Sequence, residues 1–349
     1  MNLMSEKTSG SQTRVRMPVH RSFERELAIL ESMSGRTPDE ADIARLRRTL
    51  ESENNYLVAK VAKLVAEHEV TGLLPQILAA FDRFLIDPVK RDPQCWAKNA
   101  LVKALVKLGC RDAAVYLRGL RHFQEEPVWG GQSDTAGALR ATCAQVLVEC
   151  SELTEAALLN ILLEPMLDPD KTVRIEAVRA VGQVGGVSSA LLLKLRVLLR
   201  KEEPEVLGAC FSALLRMQNN DRLGTISLVA DFLDHGEEAA SEAAFALAET
   251  HDSAAVQALI DRRRYGADPW FVSILDQAIA VSRTQESLEF LLGLIERDPR
   301  QAASALEALS RVYASSDVRL RIAQCVARSR SERAQQAFRQ FFPEPAADL

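Results

Sequence analysis

Aromatic residues make up only 5% of this 349-residue sequence, and glycine (16) and proline (13) are sparse too. A many-turned β-sandwich or barrel draws heavily on all three, so these shortages argue against that class and for helix. A bilayer span requires roughly 18 to 20 uncharged apolar residues. The longest candidate, Ala180 to Leu193, falls short because it carries three glycines and two serines. The first twenty residues have no apolar core of signal-peptide type, so cytoplasmic residence is the expectation. Metal-ligand spacing is also missing. Cys95, Cys110, Cys143, Cys150, Cys210 and Cys325 form no C-x-x-C pair and read as small core residues. His20, His68, His122, His235 and His251 are too scattered for most sites. Phosphate-binding glycine loops and the hydrolase elbow G-x-S-x-G do not occur. The expectation is a chain that is not an enzyme, with no catalytic, cofactor or metal residues.

What is present is ample material for a core: 47% apolar and 26% charged residues, the balance of a folded chain. The net charge of −5 is unevenly spread. Residues 1–123 hold 20 Lys/Arg against 15 Asp/Glu, and 124–349 hold 23 against 33. Between Glu202 and Asp261 only Arg216 and Arg222 face twelve acids. With a pI near 5.7, nucleic acid is disfavoured as a partner and a protein partner preferred.

Self-similarity is the informative signal. In Asp168 to Gly186 the apolar residues 173, 177, 180, 181 and 184 form a helical stripe that stops at Gly185-Gly186. Steps of 33, 33 and 32 residues forward place Val206, Cys210, Ala213 and Leu214, then Ala239, Ala243, Ala246 and Leu247, then Phe271, Leu275, Ala278 and Ile279 on the same stripe. Steps of 34 and then 42 backward place Leu139, Cys143, Val146 and Leu147, then Ala97, Leu101, Ala104 and Leu105 there. A second amphipathic helix follows most stripes, as in Ser188 to Arg200. The turns are marked by Asp92-Pro93, Asp168-Pro169, Glu203-Pro204, Asp268-Pro269 and Asp298-Pro299, where proline suits a first helical turn. A short hairpin cannot bury its stripe alone, so the reading is an all-α fold, an α-solenoid of eight or nine stacked helical hairpins. It spans 21–342, with an N-terminal cap at 21–36, a C-terminal cap at 317–342, a flexible basic arm at 1–20 and a tail at 343–349. Thr37 is the expected cap of the helix that begins at Asp39, with Glu40 closing a capping box.

The segment Asp168 to Gly186, with Asp-Pro leading a Val-Arg helix, resembles the HEAT repeat, in the short bacterial form also found in phycobilisome lyases. The resemblance covers roughly 37–315. It implies a ladder in which turn acids link to basic residues of the adjacent repeat. Acid and base six apart recur as Asp92/Lys98, Asp134/Arg140 and Asp168/Arg174. Lys201 and Leu207 stand in the next equivalent places, so the ladder is expected to end near residue 186. HEAT-like enzymes supply the alternatives. A lyase-type accessory subunit would hold a chromophore for a partner. Deoxyhypusine hydroxylases bind iron through several His-Glu pairs, of which His68-Glu69 is a single instance here. A DNA glycosylase would need a basic groove, for which Lys98, Lys103, Lys107 and Arg262-Arg263-Arg264 are the residues at hand.

The 42-residue step is about nine longer than the rest, and the excess lies in the loop Gln124 to Thr135. Trp129 sits there between Pro127-Val128 and Gly130-Gly131. It either packs on a neighbouring hairpin or anchors a partner. The function expected is a non-catalytic protein-binding scaffold or adaptor. Its contact residues are Pro127, Trp129, Gly130, Gly131 and Asp134, with Lys98, Lys103 and Lys107 on the adjoining helix.

Overall fold

The computed structural model describes residues 19–217, 221–266, 268–298, 300–313 and 315–343. Residues 1–18 of the expected arm, Pro299 of one turn and 344–349 of the tail lie outside them. Where the sequence reading has one solenoid over 21–342, the chain groups into two compact units, Met1–Arg111 with His122–Leu139, and Asp112–Arg121 with Arg140–Leu349.

The first unit contains α1 (Val19–Glu31), α2 (Glu40–Leu50), α3 (Asn55–Glu67), α4 (Leu74–Phe84), the single turn α5 (Pro88–Arg91), α6 (Trp96–Lys107) and a two-stranded hairpin, β1 (Glu125–Val128) with β2 (Gly131–Asp134). Helix α3 packs on α1, α2 and α6, and α4 packs on α2 and α6. The cap of α2 falls two residues later than expected. Asp39 accepts from Asp42 N–H at 2.8 Å and Asp42 accepts from Asp39 N–H at 3.1 Å. Two aspartates complete the reciprocal box at Asp39, and α2 starts at Glu40.

The second unit contains α7 (Ala113–Leu120), α8 (Gly137–Val146) from Arg140 onward, α9 (Glu155–Leu162), α10 (Lys171–Val184), α11 (Gly186–Leu199), α12 (Pro204–Arg216), α13 (Arg222–Ala230), α14 (Glu237–Ala248), α15 (Ser253–Arg264), α16 (Pro269–Val281), α17 (Gln285–Arg297), α18 (Ala302–Val312), α19 (Ser316–Ser329) and α20 (Glu332–Phe341). Its contacts define two rows. Helices α10, α12, α14, α16, α18 and α20 each pack on the next, and so do α13, α15, α17 and α19. This is an all-α solenoid of stacked hairpins, in which each pair touches its neighbours in the chain.

The stripes read from the sequence are the core. Val173, Ala177, Ala180, Val181, Val206, Cys210, Leu214, Ala243, Leu247, Leu275 and Ile279 are buried. Val184, Ala213 and Ala239 are only half-buried. Helix α10 shows why each element ends where it does. The Asp170 side chain accepts from Thr172 N–H, and the chain leaves the helix at Gly185 with φ +74°, a conformation that carries little cost for glycine. First-row helices approach closely through small residues: a Cβ at Gly182 would lie 2.8 Å from Ala213 Cβ.

The ladder exists, and it runs one rung further than expected. Arg140 makes a bidentate pair with Asp168 of the next hairpin, at 2.7 and 2.9 Å, with both side chains nearly inaccessible. Arg174 then reaches Glu203 and, at 3.4 Å, Glu202. The acid of that turn has moved two residues past Lys201, which is why a strict six-residue spacing misses it. A later buried pair, Arg263 with Asp276 at 2.7 and 3.2 Å, joins α15 to α16.

Removing one partner of a buried pair leaves a bare charge, which costs about 3–5 kcal/mol. Arg140→Met is therefore expected to lower unfolding stability by that amount, and Arg140→Met with Asp168→Leu to recover most of it. Urea titrations of both variants check this, and a single variant as stable as the parent would refute the ladder's role.

Candidate partner-binding site

The insertion expected to be a loop is a β-hairpin. Val128 pairs with Gly131 and Glu125 with Asp134. Trp129-Gly130 is thus a two-residue turn, with Gly130 at φ +90°. Trp129 is 102% exposed. That overturns the packing alternative for this side chain, because none of the described residues covers it. Pro127, Gly130 and Gly131 are exposed beside it.

The hairpin's base is held by a buried polar network. One oxygen of Glu126 accepts from Gln94 N–H (2.6 Å), Gln124 Nε2 (2.6 Å) and Thr135 Oγ1 (2.7 Å). Gln124 also donates to the Asp92 carbonyl at 2.8 Å. Asp134 accepts from the N–H groups of Gln124 and Ala136, at 2.9 and 3.0 Å. It is half-buried and braces the hairpin, so its place is the support and not the contact surface. Burial opposes ionisation of Glu126, yet hydrogen bonds from Thr135, Gln124 and the Gln94 N–H, with the Lys98 charge behind them, hold its carboxyl below the ordinary glutamate value.

Lys98 requires a correction of the same kind. It is fully buried, and its Nζ lies 2.9 Å from Asp92 Oδ2 and 3.3 Å from the Phe84 carbonyl. The same Asp92 carboxylate accepts the N–H groups of Ala97 (2.8 Å) and Lys98 (3.0 Å) and the Asn55 amide (3.0 Å). Lys98 therefore works inside the fold and cannot touch a partner. Lys103 is exposed on α6, as expected, and Lys107 stands one turn further along the same helix.

These two lysines belong to a groove between α3 and α6, about 700 Å³ in volume, lined also by Tyr56, Lys60, Lys63, Glu67, Trp96 and Asn99. Three rings, one each from α1, α3 and α6, stand in a row. Phe23 and Tyr56 have centroids 6.0 Å apart, and Tyr56 meets Trp96 edge-on, also at 6.0 Å. Trp96 is 48% exposed, an unusual state for a residue that ordinarily buries most of its surface. Lys60 reaches Glu31 at 3.6 Å and Lys107 reaches Glu69 at 2.9 Å, whereas Lys63 and Lys103 have no ion-pair partner among the described residues. Asn99 Oδ1 is out of contact with solvent and, among the described residues, accepts no hydrogen bond. The hairpin adjoins this groove through Gln94, two residues before α6 begins. The sequence reading missed Tyr56, Trp96, Lys60, Lys63 and Asn99. The signal that could have found them was the spacing of Lys60, Lys63, Lys103 and Lys107 at three and four residues on two matched helices.

The other candidates are absorbed by the fold. Arg262 pairs with Asp234 at 2.7 Å and lies over Phe271, Arg263 is the buried partner of Asp276, and Arg264 pairs with Asp261 and lies over Phe290. His68 contacts the Met33 carbonyl at 3.2 Å. All six cysteines are free and buried, and burial pushes the Cys95 and Cys210 thiols up to about 12. Among the described residues no cluster of three His, Cys, Asp or Glu could hold a metal, and no helix is long and apolar enough to cross a membrane.

No protein-family model matches the chain, and no curated protein matches it. Among solved structures it is similar to human deoxyhypusine hydroxylase in complex with glycerol, with 15% identity over 76% of this chain and 91% of that one, at a TM-score of 0.28. A likeness that weak transfers neither site nor activity. It does correct the expectation that this chain is not an enzyme, since the similar structure is that of an enzyme and the helical-repeat architecture gives no ground for excluding catalysis.

The Glu126 network carries a pH dependence of definite sign. With its folded pKa below the ordinary 4.5, the group's contribution is complete above that value and is lost as pH falls through the lower folded one. Glu126→Ala removes the shared acceptor of three hydrogen bonds at the base of the hairpin and should cost about 1–3 kcal/mol at neutral pH. Glu126→Gln should flatten the stability loss below pH ~4.5. Thermal melts of parent and variants from neutral to acid pH measure both. Coincident curves would mean that the network is dispensable.

Proposed function

We propose that this chain is a protein-binding helical-repeat scaffold of the HEAT type, and that its first unit holds an acidic segment of a protein partner along α3 and α6. The HEAT reading is supported by the Arg140–Asp168 rung, a base of one hairpin bound to the turn acid of the next. The binding reading rests on one observation: exposed aromatic rings and lysines without ion-pair partners among the described residues share a single groove.

Each part supports the same ligand chemistry. The face of Trp96 and the edge of Tyr56 offer apolar surface to a side chain, and tryptophan is enriched where interfaces concentrate their energy. Lys63 and Lys103 would meet carboxylates, with attraction that weakens as salt screens it. The net charge of −5 favours a polypeptide over a nucleic acid, whose phosphates call for a basic surface. The tip of the hairpin, with Pro127, Trp129, Gly130 and Gly131, would extend the contact beyond the start of α6.

Titration of a fluorescent peptide rich in Asp and Glu and carrying one or two leucines tests this reading, beside a scrambled-charge peptide and a single-stranded oligonucleotide. The acidic peptide should bind, and less tightly as salt rises. Trp96→Ala should weaken it by roughly 30-fold or more, equal to about 2 kcal/mol, and Lys103→Glu should weaken it too, with melting temperatures near that of the parent. Preference for the oligonucleotide, or an acidic peptide indifferent to both substitutions, would overturn the proposal.

A further inference from the structure

Helix α11 is apolar on two sides. Its inward face, with Leu193 and Val197 fully buried, is the one a hairpin of this solenoid requires. Its outward face carries Val187, Leu191, Leu195 and Leu198, which are between 59% and 78% exposed. Their spacing of four, four and three residues makes one continuous stripe along the helix. The repeat does not demand it. Among the described residues, no helix of the row α13, α15, α17 and α19 carries more than one large apolar residue so exposed: α13 has Leu223, α19 has Leu320, and α15 and α17 have none. Soluble monomers rarely leave such a stripe facing water, and its solitary occurrence within a repeat marks it as an added feature.

We infer that this stripe is a self-association surface, on which α11 of one copy packs antiparallel against α11 of a second. Three observations select a second copy as the occupant. The first is symmetry. The stripe is nearly self-complementary about its middle, so an antiparallel partner sets Val187 opposite Leu198 and Leu191 opposite Leu195, the isologous contact of a two-fold dimer. The second is charge. Lys201, just past the C-terminal end of α11, is exposed and makes no ion pair among the described residues. At the other end, Glu155 lies against Gly186 and is exposed as well. Antiparallel packing brings Lys201 of each copy towards Glu155 of the other, whereas parallel packing would align like charges. The third is size. The exposed apolar side chains of α11, Leu199 among them, present on the order of 600 Å², and with a polar rim this reaches the roughly 600–1,000 Å² per partner of a standard interface. In the middle of the helix Lys194 is turned aside to Asp221 at 3.2 Å, which leaves the stripe clear of charge.

The full chain, sedimented at concentrations from about 1 to 100 µM, should show a monomer–dimer equilibrium. Leu191→Glu with Leu195→Glu should raise the dimer dissociation constant by about 100-fold or more while leaving the circular dichroism spectrum of the monomer unchanged, because both side chains face solvent in the single chain. Lys201→Glu should weaken association by several-fold, and Glu155→Lys added to it should restore the parent value. A parent that stays monomeric at the highest concentration overturns the inference. So does a double leucine variant that dimerises as well as the parent. A charge exchange that fails to restore association, with the leucine effect intact, would overturn the antiparallel arrangement. A binding defect in the α3–α6 groove would leave all these readings unchanged.

Discussion

Everything in this molecule depends on the fact that a helix of ten to fourteen residues cannot bury its apolar stripe alone. Isolated helices of this length are marginal in water, and their stability comes from tertiary packing. In the second unit the covering for each first-row helix comes from the hairpins before and after it, so the repeat spacing and the hydrophobic core are one constraint. Close packing follows. Where Gly182 meets Ala213 the helices approach until the Ala213 methyl leaves no room for a side chain at 182, and the cores are filled by alanine, leucine and valine instead of aromatics.

The buried ions answer a second need, that of register. Apolar stripes slide past one another at little cost, but Arg140 is matched to Asp168, and a slipped hairpin would strand both charges in the interior. In the first unit Asp92 does comparable work. It receives the first turn of α6, the Asn55 amide of α3 and the Lys98 ammonium. The backbone around it is unusual, with Gln94 and Cys95 both at positive φ. Side chains other than glycine adopt that conformation only where the surroundings hold it, and here the Asp92 and Glu126 hydrogen bonds do so. The hairpin is thus fastened to the start of the helix that carries Trp96 and the lysines.

The helical architecture was open to reading because apolar residues at helical spacing, returning every 33 residues or so, are the mark of hairpins that must stack to be covered. The hairpin was not. Glu125 to Val128 and Gly131 to Asp134 lack the alternation that marks a strand, one contains proline, and their single buried side chain is a charged one, Glu126. Its partners, Gln94 and Thr135, are remote or inconspicuous in the sequence. The candidate site was half legible. Lys103 and Lys107 were visible as a row, but Lys98 looked like part of it, and only its depth separates a core lysine from a surface one. Trp96 went unread because it precedes the stripe that begins at Ala97, and its value as a site residue lies in being left half uncovered. The last rung of the ladder escaped because the acid shifted within its turn, a change that three-dimensional reach absorbs and sequence spacing does not.

The exposure of the tryptophans has an optical consequence. The chain has three, and they are Trp96, Trp129 and Trp270, at 48%, 102% and 45% exposure. None is enclosed in the core, so the folded protein already emits at wavelengths close to those of indole in water, and denaturation moves that spectrum little. Intrinsic fluorescence is therefore a poor gauge of folding for this molecule. It is a sensitive gauge of occupancy, because two of the three emitters lie in the groove and at the hairpin tip, where a bound chain would exclude water and shift their emission to the blue.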